Sequence, residues 1–535
     1  MSQDARRDEE QATERRAEIL RIAYIDTSQL AAKTLFKDVL SIPELERLRV
    51  IPLQADRSNI LFGITTTTSQ QTMHDLQQRF TDQRVAFTLI SDAGFHEYML
   101  LYNPPPEVVY QDITVNTAGS EALVQQVSKT LTQVRADDVL AYLVSQAHRL
   151  NTSDIHIETQ RNDVRVRFRI DGVLHPIAYL QRDTYRVLIS AVASAGNVST
   201  NSDEAQQGHI SQKVTMADGT DVDVNVRLET VPTLNGMDVV MRLFNMDPSK
   251  YNLDRLGLST EERTVLDQII AKPSGLVMVV GPTGSGKTTT LYSILNSLNN
   301  DERKIITIED PVEYQFPGVT QISVHSSEGG DDNRFADKLR ATLRLDPDIL
   351  MVGEIRDNDT AKTALQASLT GHLVLSTYHA GSAAEALVRL MDIIGQNPLF
   401  VTAIRLVMAQ RLIRRLDDST KQPYQPTEIE LQKLQQVIDG LPEGITRPDV
   451  HNLQLYKPGS SPEIPYGFTG QLAIREQFRI TGEVRTILEQ HTNVLSAQDI
   501  EVAASKSGMR TMLQDGILKV CAGETTLEEV YRVVG

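Results

Sequence analysis

At 535 residues the chain is too long for one hydrophobic core, and roughly 150 residues per domain predicts three or four. Hydrophobic residues at 40% and charged residues at 23% exclude wholesale disorder. The net charge of −17 counts against a nucleic-acid-coating role, and the single cysteine, Cys521, excludes an intrachain disulfide or a cysteine-based zinc site.

No apolar run approaches the ~20 residues needed to span a bilayer, and the opening MSQDARRDEEQATERRAEIL lacks the apolar core of a signal peptide. A cytoplasmic protein is expected, associated with a membrane only as a docked partner. Residues 1–25 read as a charged, solvated, helix-compatible arm. Residues 26–110 read as a small α/β module with strands at Val50–Leu53, Ile60–Ile64 and Ala86–Ile90. No chemistry is visible there, and docking and purely structural roles stay open. Asn103 and the prolines Pro104 to Pro106 start a linker, placed at 111–135, because consecutive prolines continue neither a helix nor a ladder.

Residues 136–250 predict a compact β-rich domain. In DVRVRFRIDGVL, Val164, Val166, Phe168 and Ile170 share one strand face, so Arg165, Arg167 and Arg169 share the other. A second hairpin turns at Ala217–Thr220 and continues through Val222, Val224 and Val226; Val239–Met241 is a further strand. A solvated charged face is the plain account of the arginines. DPSKYNLDRLGLS reads as a hinge.

From 251 to 398 the apolar runs Leu276–Val280, Ile305–Ile308, Ile349–Val352 and Leu373–Leu375 alternate with helix-length segments, the pattern of a parallel sheet covered on both faces. Residues 399–535 read as mostly helical, including AQRLIRRL.

Gly281, Pro282, Thr283, Gly284, Ser285, Gly286, Lys287 and Thr288 match G-x-x-x-x-G-K-[ST] between a strand and a helix opening Thr288-Thr289. Backbone N–H groups of such a loop cradle phosphate oxygens, Lys287 reaches the β- and γ-phosphates, and the Thr288 hydroxyl can ligand Mg²⁺. In DPDILMVGEIRD, Glu354 follows Gly353 at a strand end, where a carboxylate can deprotonate the attacking water. Pairing with Arg356 is the alternative. TIEDPVE places Glu309, Asp310 and Glu313 at the next strand end, for Mg²⁺, its waters or an arginine, with Glu309 the next candidate for the base after Glu354. His372 and His379 bracket a third strand as candidate phosphate sensors.

Five blocks in order, GPTGSGKTTTLYSIL, TIEDPVEY, LRLDPDILMVGEIRD, ASLTGHLVLSTYHA and VMAQRLIRRL, resemble the secretion ATPases, and more narrowly the type IV pilus assembly and type II secretion ATPases. SDIHIE, RFRIDGVL and GMRTMLQDGILKVCAGETTLEEV extend the resemblance over about residues 136–535. It implies an α/β fold: a RecA-like P-loop NTPase domain, a preceding β-rich PAS-like α+β domain and a small N-terminal α/β module. It further implies a Mg²⁺-dependent ATPase working as a homo-hexamer, with ATP between the two larger domains. Nucleotide-driven closure would move an inner-membrane platform protein; for residues 26–110 docking to a second machine component is the preferred of the two open roles. Arg227 and Arg242 match the two arginines that approach the phosphates in that family.

Assembly ATPases usually carry a four-cysteine zinc site after AQRLIRRL; this chain lacks it. Thr427 and Glu430 instead form a capping-box pair ahead of an apolar stripe of Leu431, Leu434, Val437, Ile438 and Leu441. That predicts an amphipathic helix in place of the metal. Pilus assembly is the leading expectation, with a type II secretion or DNA-uptake pseudopilus motor as the alternative. A RecA-like nucleic-acid translocase is the different-class alternative, disfavoured by charge and the absence of tryptophan.

Overall fold

The computed structural model describes residues 3–30, 33–103, 120–134, 138–215, 221–244, 251–324, 333–395, 398–461, 464, 466–490 and 496–535. The proline run at 104–106, the turn at 217–220 and the first residues of the hinge, 247–250, lie outside them. The described residues fall into two compact units. One carries residues 3–103 with 134, 138–140 and 186–210; the other carries 120–133, 141–185 and what is described from 211 onward.

In the first unit, β1 (Ala23–Tyr24), β2 (Val50–Ala55), β3 (Asn59–Ile64) and β4 (Arg84–Leu89) form a sheet in the order β1-β4-β3-β2. Leu45, Ile51, Phe62, Leu89 and Phe95 fill its core. The arm is a helix, Gln3–Leu20, and it is held rather than solvated. Buried Glu10 accepts hydrogen bonds from Ser91 Oγ at 2.7 Å and Tyr24 Oη at 2.5 Å, and Ala17 is buried in the core. A charged residue at a buried position carries no signature in the sequence of a mixed-charge helix.

The β-rich region consists of β5 (Thr152–Thr159), β6 (Val164–Ile170), β7 (Val173–Leu180), β8 (Gln206–Thr215), β9 (Asp221–Thr233) and β10 (Gly236–Phe244), ordered β7-β6-β5-β10-β9-β8. Val164, Val166 and Phe168 are fully buried, so the arginines between them lie on the opposite face. There Arg165 and Arg167 pair with Glu158, and Arg169 with Asp154.

The largest sheet comprises β11 (Gly275–Val280), β12 (Ile305–Glu309), β13 (Thr320–Ser323), β14 (Ile349–Val352), β15 (Leu373–Tyr378), β16 (Ile404–Leu416) and, after the small ribbon β17 (Gln422–Tyr424) and β18 (Leu455–Lys457), β19 (Phe468–Arg479). Its order is β13-β12-β14-β15-β11-β16-β19, parallel except for the β16–β19 pair. Leu276, Met278 and Val280 enter one core while Val277 and Val279 enter the other. Both faces of β11 are therefore buried, as its unbroken apolar run requires.

AQRLIRRL was expected in a helix, and it is the end of strand β16. Val407 and Ala409 enter one core and Leu406 and Met408 the other. A strand buried on both faces has no period-2 signature, and its arginine-rich end imitates a helix. The sheet thus continues beyond residue 398. The helix Glu428–Asp439 does form, with Thr427 and Glu430 reciprocally bonded and Leu434 and Ile438 buried.

Candidate active site

Between β11 and the helix Lys287–Leu298, the loop turns through Gly284 and Gly286 with φ of 77° and 81°, a region open to glycine at little cost. Gly286 caps the helix without a side-chain acceptor, so the first helical N–H groups are available to an anion. Lys287 Nζ donates to the carbonyl oxygens of Gly281 at 2.8 Å and Pro282 at 2.9 Å. Burial lowers its pKa from the ordinary value, with Glu354 and Glu313 pulling against that effect.

One cleft of about 1190 Å³ collects Thr283 to Thr289, Glu309, Asp310, Glu313, Glu354, Arg356 and His379 from the large sheet. The same cleft receives Asp154, Arg169, Arg227 and Arg242 from the β-rich sheet. Parallel strands bring the carboxylates together, because β11, β12, β14 and β15 all end at the same edge.

The carboxylates there are not equivalent. Glu309 is 3% exposed and accepts from Tyr292 Oη, Thr307 Oγ1 and, at 3.2 Å, Gln321 Nε2. Burial raises its pKa, these donors opposing. Three donors thus engage its oxygens from behind the cleft, which it also lines. Glu313 opens to the cleft. Desolvation and the neighbouring Glu309 raise its pKa, and Arg242, Arg227 and Lys287 lower it. Glu354 lies between Arg356 Nε at 2.7 Å and His379 Nε2 at 3.0 Å. Asp310 is 3.5 Å from Arg356 Nη1.

Arg227 and Arg242 stand directly opposite each other in the β9–β10 ladder. Arg242 Nε donates to Asp154 Oδ1 at 2.9 Å, and Arg169 Nε lies 3.3 Å from Asp154 Oδ2. One buried carboxylate therefore orients two of the three guanidiniums that the β-rich sheet presents to the cleft. Asp154 was legible only as an alternating residue of SDIHIE, and its role emerges from strand pairing.

His372 does not join this site. It lies at the start of β15, and its Nδ1–H donates to Ala367 O at 2.9 Å, away from the edge that carries His379. The expectation of two sensors reduces to one candidate, because the strand between the histidines separates them by roughly 20 Å.

A glycine-rich loop on a central strand, with acids at the ends of its parallel neighbours, defines a RecA-like P-loop ATPase. The family described as "Type II/IV secretion system protein" matches residues 132–532, and the chain belongs to that family. Among curated proteins it is 37% identical to Type II secretion system protein E of Pseudomonas aeruginosa, over 85% of this chain and 88% of that one. It is 32% identical to the Type IV pilus assembly ATPase PilB of the same organism, over 97% of this chain and 89% of that one. Among solved structures, the ATPase DotB of Yersinia pseudotuberculosis shares the fold, with a TM-score of 0.55 at 19% identity over 81% of this chain and 99% of that one.

Proposed function

We propose that the chain is the motor ATPase of a type IV pilus assembly machine, converting ATP hydrolysis into pilin extension. The observation that carries this reading is the reach of the similarity. The match to the Pseudomonas aeruginosa pilus assembly ATPase extends over 97% of the chain, and so through the N-terminal module, whereas the type II secretion proteins match over 73–85% and a second pilus assembly ATPase over 75%. A type II secretion motor is the second reading, favoured by identities of 36–40% to proteins of that name.

In this account the loop Gly281–Thr288 binds the phosphates and Glu354 takes a proton from the attacking water. Oxygen of that water bonds to the γ-phosphorus, the bond to the ADP oxygen breaks, and inorganic phosphate leaves. Arg227 and Arg242 stabilise the charge that accumulates on the γ-phosphoryl group, where a planar bidentate cation is most effective. The Thr288 hydroxyl and the carboxylates of Asp310 and Glu313 are hard oxygen donors, a set that fits Mg²⁺ held partly through water. Bound there, Mg²⁺ would neutralise charge on the β- and γ-phosphates.

No helix among the described residues is long and apolar enough to cross a membrane. The working arrangement we infer is a cytoplasmic homo-hexamer docked on an inner-membrane platform protein. Its N-terminal module contacts a second component, and no nucleic acid takes part. Deleting the gene and restoring it with wild type or Lys287→Ala tests the reading. Loss of surface pili with an unchanged secreted-protein profile, rescued only by wild type, is expected. Intact pili with lost secretion would instead support the second reading.

A further inference from the structure

Gln410 lies on β16, beside the strand that delivers the P-loop, and is 1% exposed. Its Nε2 donates to the carbonyl oxygen of Ser285 at 2.6 Å, and its Oε1 accepts from Thr290 Oγ1 at 2.9 Å. A carbonyl oxygen only accepts, so the amide nitrogen must face Ser285 and the amide oxygen the hydroxyl. The two partners flank the turn at Gly286 and Lys287, one in the loop and one in the first turn of the helix.

A trans peptide is planar, with its C=O and following N–H pointing in opposite directions. Fixing the Ser285 carbonyl toward β16 therefore turns the Gly286 N–H away from β16. The loop is moulded closely on this residue. A Cβ at Gly286 would stand 3.1 Å from Gln410 Nε2, and a Cβ at Gly281 would stand 2.7 Å from the Gln410 carbonyl oxygen.

We propose that Gln410 is a positioning residue for nucleotide binding, setting through Ser285 the direction in which the P-loop presents its Gly286 N–H to a phosphate oxygen. It acts through the loop's backbone, since its own side chain is buried behind the loop. Without it, the Ser285 carbonyl loses its donor and the peptide can rotate, taking the N–H off the phosphate.

The test uses the full chain with Gln410→Ala and Gln410→Glu, each checked for folding by circular dichroism, with ATP KM, ADP Kd and kcat measured from pH 6 to 9. Gln410→Ala should raise KM and ADP Kd by about tenfold while kcat changes less than about twofold. Gln410→Glu adds a readout that a packing role would not move. Its carboxylate offers Ser285 no proton, whereas its protonated form restores the donor. The ratio of its KM to that of wild type should fall as pH is lowered. A folded Gln410→Ala with wild-type KM and ADP Kd overturns the proposal, as does a Gln410→Glu whose KM equals that of wild type at pH 9, where its carboxylate is ionised.

Discussion

Nε2 of His379 stands 3.0 Å from Oε1 of Glu354, so a residue at the end of β15 holds a carboxylate just beyond the end of its neighbour β14. Arg356 holds the other oxygen at 2.7 Å. A carboxylate has about four lone-pair sites, so the two contacts fix its plane while leaving room for a water. Burial lowers the His379 pKa from its ordinary 6.5, and the Lys287 charge adds to this against the pull of Glu354. The ring is thus neutral at pH 7 and donates Nε2–H to Glu354.

At acid pH, below the ordinary 6.5, His379 gains a proton, and the imidazolium ties up the Glu354 carboxylate that must receive the proton of the water. Turnover should therefore decline in that range. His379→Gln keeps a donor without the charge, and should retain most of the rate at pH 7.5 while flattening this decline in kcat. His379→Ala should lower kcat about tenfold with ATP affinity held within about twofold.

Arg227→Ala and Arg242→Ala should each slow hydrolysis by about 100-fold or more while changing ADP affinity only a few-fold, because their charge is needed most at the γ-phosphate. Asp154→Ala should reproduce part of the loss by releasing Arg242 and Arg169. Single-turnover hydrolysis alongside ADP titration separates the two quantities.

The His175 ring lies 4.1 Å from that of Tyr466, and the neighbouring Asp171 accepts from the Gly470 N–H at 3.0 Å. Burial, with Arg414 nearby, pushes His175 down to about 4. A histidine with a lowered folded pKa supports the fold fully above its ordinary 6.5, and that support is lost as pH falls through about 4. Denaturant midpoints should fall between pH 7 and 4.5, and less steeply in His175→Phe, which keeps the ring contact.

Buried Leu434 and Ile438 anchor the helix Glu428–Asp439, the element expected in place of a zinc site. Elemental analysis should find well under one zinc per chain, and chelator should leave the melting temperature unchanged. Leu434→Ala should lower it by roughly 5 °C or more, since such truncations cost about 2–5 kcal/mol.

Much of the site could be read from the sequence because its parts are contiguous. The loop from Gly281 to Thr288, the acids of TIEDPVE and Glu354 each end a strand whose apolar run announces it. What escaped depends on pairing and direction. Glu309 is engaged from behind by Tyr292, three residues beyond Thr289 on the P-loop helix, together with Thr307 and Gln321. His372 and His379 bracket one strand, and a strand's ends are far apart. Gln410 was hidden because β16 imitates a helix, and only its alignment with β11 brings it behind the P-loop.

Glu354 is the residue proposed to activate water, in a cleft expected to bind ATP independently of it. The most direct test is Glu354→Gln, measured for ATP affinity by equilibrium titration and for phosphate release under single turnover. The amide keeps the shape and cannot accept the proton, so ATP should bind within about threefold of wild type while hydrolysis falls by about 100-fold or more. Phosphate release at the wild-type rate would contradict the account and move the base to another carboxylate of the cleft, Glu313 first.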